Sequence, residues 1–476
     1  MGISLNPSTL LNGQGIDVSS LVQQVLRESS GQLTEWQNEQ ATLQTQASDL
    51  TGINGDLSNL AAAVQALSDP LGALSSMTAT SSDSNVLTAT AASATAGTHQ
   101  IVVSNLATAG IVYTNVFSGG PTTSFLPSGT TSGEIDLQVG GSGGTTHQIM
   151  ITPGTNDTLN TLASYINGQN WGVTANVITD ATGSRLALTS QSTGSAGALA
   201  ITSNNTSLVF NTSSGGADAS LTIDGIPYSS ASNTISGAIP GLTLNLTGGA
   251  PDETVQVTVG ANASQAADAI NNFVAAYNQV INDINQQFTV NAGTNTEGPL
   301  GSDTALRSLQ TSLMNDVTYS IAGNSGLVNL AALGINMNDD GTLTVGSNAQ
   351  GQSLNQVLAA NPAAVQNFFQ NATSTGFANN FNSDLTNLTD PTEGVLNVDL
   401  AQNSSEQQDL SNSISNFQAE LAIQQQQLTQ EYSQVNASLQ AYPLLLQQVT
   451  ETLATMDLNS STNSSGSSSP TLTSGL

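Results

Sequence analysis

At 476 residues the chain is long enough for about three domains with cores of their own. Yet only 8% of it is charged, against about 25% in ordinary globular proteins. There are three basic residues (Arg27, Arg185, Arg307), no lysine and 33 acids, for a net charge of -30. Such a chain cannot neutralise phosphates, which argues against nucleic acid or an anionic membrane surface as partner. The absence of cysteine excludes disulfides and thiolate chemistry.

The acids are not in excess, so the charge reflects missing bases. Two explanations stand side by side. One is work in an acidic medium, where protonated carboxyls would leave only about +5 from three Arg and two His. The other is a compositional bias of the lineage. No apolar run approaches the roughly 18 residues of a membrane span. The opening residues lack both a basic region and an apolar core, so they do not read as a conventional signal peptide, and a protein located outside the cell would have left by another route.

Residues 1–15 read as a disordered N-terminus, followed by an N-terminal helical leg over 16–78 with Asp17 as N-cap. Its apolar ladder runs Trp36, Leu43, Ala47, Leu50, Ile53, Leu57, Leu60, Val64 and Leu67. Steps of three, four or seven residues place these on one stripe of a helix that needs a partner. Gly52 and Gly55 predict a kink or break in that helix, and Asp69-Pro70 its end.

Over 79–262 the texture changes to alternating strands and Gly/Ser/Thr turns, a β-rich head of one or two lobes. Strands are predicted at 85–90, 99–104, 135–139, 172–178, 185–189, 241–246 and 254–259. One helix, Asp157 to Ile166, with Asp157 or Thr158 as its cap, interrupts them. The helical period returns over 263–400 as a mixed leg domain. Helices are predicted from Ser264 through Phe288, from Asp303 to Val317, and at 354–358 and 363–369, with a hairpin at Asn338–Gly341.

A C-terminal helical leg spans 401–457, with a ladder of Leu410, Ile414, Phe417, Leu421, Leu428, Val435, Leu439, Tyr442, Leu446, Val449 and Leu453. Gln424 interrupts the stripe, and Pro443 predicts a kink or break. Residues 458–476 read as a disordered Ser/Thr-rich tail. The fold class is thus α+β and multidomain: a discontinuous helical leg, built from both chain ends, carrying a β-rich head.

Chemical motifs are weak. Gly140–Gly144 fits G-x-S-x-G around Ser142, but it lies between strands rather than at a strand-to-helix turn. Asn336–Gly341 imitates half a calcium loop, yet Ser347 stands where the bidentate Glu should be. His99 and His147 are isolated. No enzyme, cofactor or metal site is expected.

Several segments together resemble the bacterial flagellar filament cap family, also called hook-associated protein 2. The likeness begins at Gly15–Leu21 and continues through Ala79–Thr90 and Gly97–Ala107. Thr158–Asn167 is similar to a motif shared with flagellins. Ile223–Ile226, Ser232–Ile235 and Gly241–Leu244 follow. Phe273–Asn278, Gly298–Asp303, Leu333–Ile335, Asp340–Leu343, Asn361-Pro362 and Phe368-Phe369 then occur in family order. The missing lysines, the Gly/Thr-rich stretch around 118–147 and Pro443 depart from the pattern.

The resemblance implies a homo-oligomeric ring, often of five subunits, at the distal tip of the flagellum. There it would guide insertion of exported flagellin and prevent its loss. It further implies passage through the flagellar type III channel and a cytosolic export chaperone on the C-terminal region. Contact with neighbours or the filament end is then expected from Leu43, Leu50, Leu57, Leu60 and Val64 of the first ladder. From the second it is expected from Leu410, Ile414, Phe417, Leu421, Leu428, Val435 and Leu439, with Gln424 keeping such contacts weak. The competing readings are a flagellin-like or junction axial protein, a secreted adhesin with a β head on a helical stalk, and, last, a hydrolase using Ser142.

Overall fold

The computed structural model describes residues 17–461 apart from 294, 295, 372 and 374, and no side chain beyond Met456. The expected disordered N-terminus over 1–15 and residues 462–476 of the expected tail lie outside the described residues, as side chains do for 457–461. Residues 458–461, expected in that tail, are instead the last turn of a helix that ends at Ser461. Two compact units share the chain. The first takes the described residues up to Asn59, Gln279–Met314 and those from Asp384 onward; the second takes Leu60–Asn278 and Asn315–Ser383.

In the first unit, Asp17 caps helix α1 (Val18–Ser29), accepting from the Ser20 amide at 3.1 Å. Helix α2 (Gly31–Ser68) follows after a break at Ser30. The break expected at Gly52 and Gly55 does not occur, because both glycines lie inside α2. Leu50, Ile53 and Leu57 around them are 2% exposed or less, and burial on this scale outweighs about 1 kcal/mol of helix propensity per glycine.

Helix α9 (Val395–Ser461) forms the other long element of this unit and continues through Pro443, so the helix is not broken there. The residues around Pro443 are exposed, so a backbone carbonyl released by the missing N–H can turn to water.

In the second unit, the five-stranded sheet runs β1 (Met77–Ser81), β15 (Val255–Ala261), β3 (Gly97–Asn105), β11 (Ala219–Ile223), β12 (Ile226–Ser230). It shares a core with a three-stranded sheet of β13 (Thr234–Ile239), β14 (Leu242–Leu246) and β2 (Leu87–Ala91). Ile101 sits at the middle of this lobe, in register with Val255 on one side and Ile223 on the other.

A second lobe is inserted between β3 and β11, so that the chain leaves at Asn105 and returns at Ala219. The Asn105 side chain closes the neck by donating to the Asp218 carbonyl at 2.9 Å. One sheet of this lobe orders β10 (Phe210–Ala217), β4 (Thr108–Thr114), β8 (Gly183–Thr193) and β7 (Val173–Asp180). The other orders β6 (Thr145–Ile151), β5 (Gly133–Val139) and β9 (Leu199–Asn204). Helix α3 (Leu159–Asn167), capped by Thr158, contributes Leu159, Leu162 and Ile166 to the core.

The rest of the second unit is helical around an aromatic cluster. Phe273 on α4 (Ala263–Phe288), Phe368 and Phe369 on α7 (Pro362–Gln370), and Phe377 and Phe381 on α8 (Phe377–Leu388) meet with ring centroids 5.1–6.0 Å apart. After α4 the chain forms α5 (Thr304–Val317), which belongs to the first unit as far as Met314, and then in the second unit the hairpin β16 (Ile335–Met337) and β17 (Leu343–Val345), and α6 (Leu354–Ala360). Asn278 fixes the hairpin through the backbone of Leu343, donating at 2.8 Å and accepting at 2.6 Å.

Candidate assembly surface

The first unit is held by aromatic and amide contacts where a lysine-rich chain would use ion pairs. Trp36 meets Phe417 edge to face at 5.5 Å. The buried Asn403 donates to the Leu43 carbonyl at 3.1 Å and accepts from Gln407 at 2.5 Å. Asn54 donates to Asn397 at 3.0 Å, Gln46 to the Pro299 carbonyl at 2.8 Å and Gln287 to Asp49 at 3.2 Å. Among the described residues the ion pairs are His99–Asp224 and Arg185–Asp180, both in the second unit. The Thr182 hydroxyl, then the Arg185 guanidinium, hold the Asp180 carboxyl far below the usual range.

The ladder residues divide sharply by burial. Leu50, Leu57, Leu60 and Val64 are 0–2% exposed and belong to the core of the chain itself, so the stripe expected to face neighbours is largely covered from within. Leu43 is half-buried. On α9, Leu396 is fully buried and Ile414 nearly so. Leu410, Phe417, Leu421, Gln424, Leu428 and Leu439 are half-buried, and Val435 is exposed. Helix α1 packs on this part of α9, and Leu26, Arg27 and Ser30 face Gln418, Leu421 and Gln425 across a groove of about 380 Å³.

Beyond Leu439 the apolar side chains continue without cover. Tyr442, Leu446, Val449, Leu453 and Met456 recur at steps of four, three, four and three residues, and each is 54–65% exposed. Leu444 and Leu445, 72% and 56% exposed, widen the stripe into a band. The sequence reading placed Tyr442, Leu446, Val449 and Leu453 on the ladder but not among the contact residues. Leu444, Leu445 and Met456 it missed, although three consecutive leucines at 444–446 break the amphipathic pattern and were the available signal. An uncovered apolar band of this length marks a surface that takes a partner.

The chemical motifs resolve as structure. Gly140–Gly144 is the hairpin turn between β5 and β6, with Gly140 and Gly141 at φ 101 and 69. A Cβ on Gly144 would lie 1.9 Å from the Val139 carbonyl oxygen, so only glycine closes this turn. His147 stacks on Trp171 with centroids 4.4 Å apart. Asp340 accepts from the Thr342 amide and hydroxyl and so closes the β16–β17 turn. Among the described residues no three His, Cys, Asp or Glu side chains are grouped to hold a metal ion, and no helix is long and apolar enough to cross a membrane.

Interleaved chain ends that form one helical unit, β lobes inserted between them, and a helix with an uncovered apolar band define an assembly protein. Sequence profiles agree in chain order. Residues 14–110 match the N-terminus of flagellar hook-associated protein 2, and 216–442 its C-terminus. Between them, 134–192 match the flagellin hook IN motif. The chain is 28% identical to the B-type flagellar hook-associated protein 2 of Pseudomonas aeruginosa, over 89% of this chain and 93% of that one. It is 27% identical to the flagellar hook-associated protein 2 of Escherichia coli K12, over 69% and 73%. The crystal structure of the D1-D2-D3 domains of the E. coli flagellar cap protein FliD superposes with a TM-score of 0.55 at 25% identity, covering 75% of this chain and 99% of that one.

The chain belongs to the flagellar hook-associated protein 2 family.

Proposed function

We propose that this protein caps the distal tip of the flagellar filament, where it guides exported flagellin into place and keeps it from escaping. The observation that carries this reading is the match to both halves of one cap family, in order and over most of the chain. The uncovered band of α9 supplies the physical means, since apolar area removed from water at a neighbour or at the filament end contributes about 25 cal/mol per Å².

The finer reading is a homo-oligomeric ring, five subunits by family likeness, located outside the cell after passage through the flagellar export channel. A chaperone covering the same C-terminal band in the cytosol fits its exposure, because an apolar surface of this kind invites premature association. Half-buried Gln424 fits a weak, movable contact. A structural, non-enzymatic role is part of the reading.

The test is deletion of the gene in the parent bacterium. The cap reading requires short or absent filaments, flagellin monomer in the medium, and restoration by the intact gene. Full-length filaments with no leaked flagellin would refute it.

A further inference from the structure

Charge sets the terms on which two copies of this chain can meet. Each copy carries a net charge of -30, so their approach is repulsive unless the contact is free of acids or brings a cation to one. Cations are few. Arg185 pairs with Asp180 in the inserted lobe, and Arg307 donates to the Gly301 carbonyl with its guanidinium 4.5 Å above the Phe288 ring. Arg27 is exposed on α1, and among the described residues its guanidinium has no acid or carbonyl partner.

Arg27 stands at the groove between α1 and α9. Leu26, Leu421 and Ala422 are the apolar part of that groove, and Gln23, Gln418 and Gln425 bring amides around it. From Gln418 to Gln425 the groove runs along two turns of α9. It suits a helix that offers an apolar side chain and, two turns away, a carboxylate.

The uncovered length of α9 carries that combination. Glu451 is the sole charged residue from Tyr442 to Met456, and it is exposed. Leu444, 72% exposed, precedes it by seven residues. Two turns of helix therefore place both on one face, about 10 Å apart. Neither can reach the groove of its own chain, because α9 rises about 39 Å between Gln425 and Glu451.

We propose that the Leu444–Glu451 face of one copy docks in the α1–α9 groove of the next, with the Glu451 carboxylate accepting from the Arg27 guanidinium. The inference rests on the reading that the end of α9 contacts another molecule, and it names the surface that receives it. A guanidinium fork on a carboxylate fixes the register of the two helices, and Leu444 leaves water against Leu26 and Leu421. The two surfaces lie far apart on each copy, so the contact is head-to-tail. Repeated, it closes into a ring where the rotation between copies permits, and otherwise grows as an open chain.

Charge exchange in the full chain tests the docking, with association read by sedimentation velocity over a concentration series and helix content by circular dichroism. Arg27→Glu or Glu451→Arg alone sets like charges together and should weaken association about tenfold. The double exchange Arg27→Glu/Glu451→Arg keeps the native net charge and should restore association to within about threefold of native. Arg27→Glu/Glu431→Arg has that same net charge with the cation elsewhere on α9, and it should stay weak. The chain has no cysteine, so Arg27→Cys and Glu451→Cys each give a single thiol. An oxidised equal mixture of these two variants should yield the mixed disulfide dimer in excess over either dimer of one variant. Single exchanges without effect, no rescue by the double exchange, or equal rescue through Glu431→Arg would overturn the proposal. If native association is lost on changing Leu446, Val449 and Leu453 yet ignores every charge exchange, the docking is wrong and the contact reading beneath it stands. A native chain that never associates would overturn both.

Discussion

The first half of α9 and its second half share one amphipathic period and meet opposite surroundings. Leu396 and Ile414 are buried within the same chain, and Asn403 and Gln407 reach across to α2. From Tyr442 to Met456 the same spacing presents leucine, valine and tyrosine to water. A helical period says that a face wants a partner; it does not say whether that partner lies in the same chain. Burial separates the two halves: it places the first in the core of the chain and leaves the second exposed, where the proposed assembly contact falls.

On the covered side, Leu57 of α2 is fully buried. Leu57→Ala should destabilise the first unit by about 2–5 kcal/mol, from lost transfer free energy and the cavity left behind, measured by denaturant unfolding. Asn403→Ala removes a buried amide bridge between α9 and α2 and should cost about 1–2 kcal/mol by the same measurement. A change in the opposite direction comes from α2 itself. Gly52 and Gly55 have open space where a Cβ would stand, so Gly52→Ala and Gly55→Ala should each stabilise by about 0.5–1 kcal/mol. The smallest effect on stability belongs to the exposed band. Leu446→Gln, Val449→Gln and Leu453→Gln together should leave the unfolding free energy within about 0.5 kcal/mol per site of the native value.

Much of the fold was legible. The Asp17 and Thr158 caps, the β7–β8 pair, the Asp340-Gly341 hairpin turn and the return of the helical period near Ser264 all follow from local chemistry. Helix α8 was missed. Its Phe377, Phe381 and Leu385 carry the right spacing, but they alternate with Asn379, Asn380, Asn382 and Asn387, which favour turns. The aromatic cluster supplies what local propensity withholds. Sheet order was not legible either, because β1 and β15 pair across about 180 residues of chain and no local pattern encodes that. Within the candidate surface, periodicity found the stripes. The division of them into covered and uncovered lengths depends on where α1 and α2 run beside α9, which no spacing in α9 records.

The band from Tyr442 to Met456 should make contact between molecules. Light scattering of the purified native protein beside the Leu446→Gln/Val449→Gln/Leu453→Gln variant tests it most directly, with circular dichroism to confirm equal helix content. The native protein should scatter as a discrete closed oligomer of a few chains and the variant as a monomer. A variant that keeps the native mass, or a native protein that stays monomeric at every concentration, would contradict it.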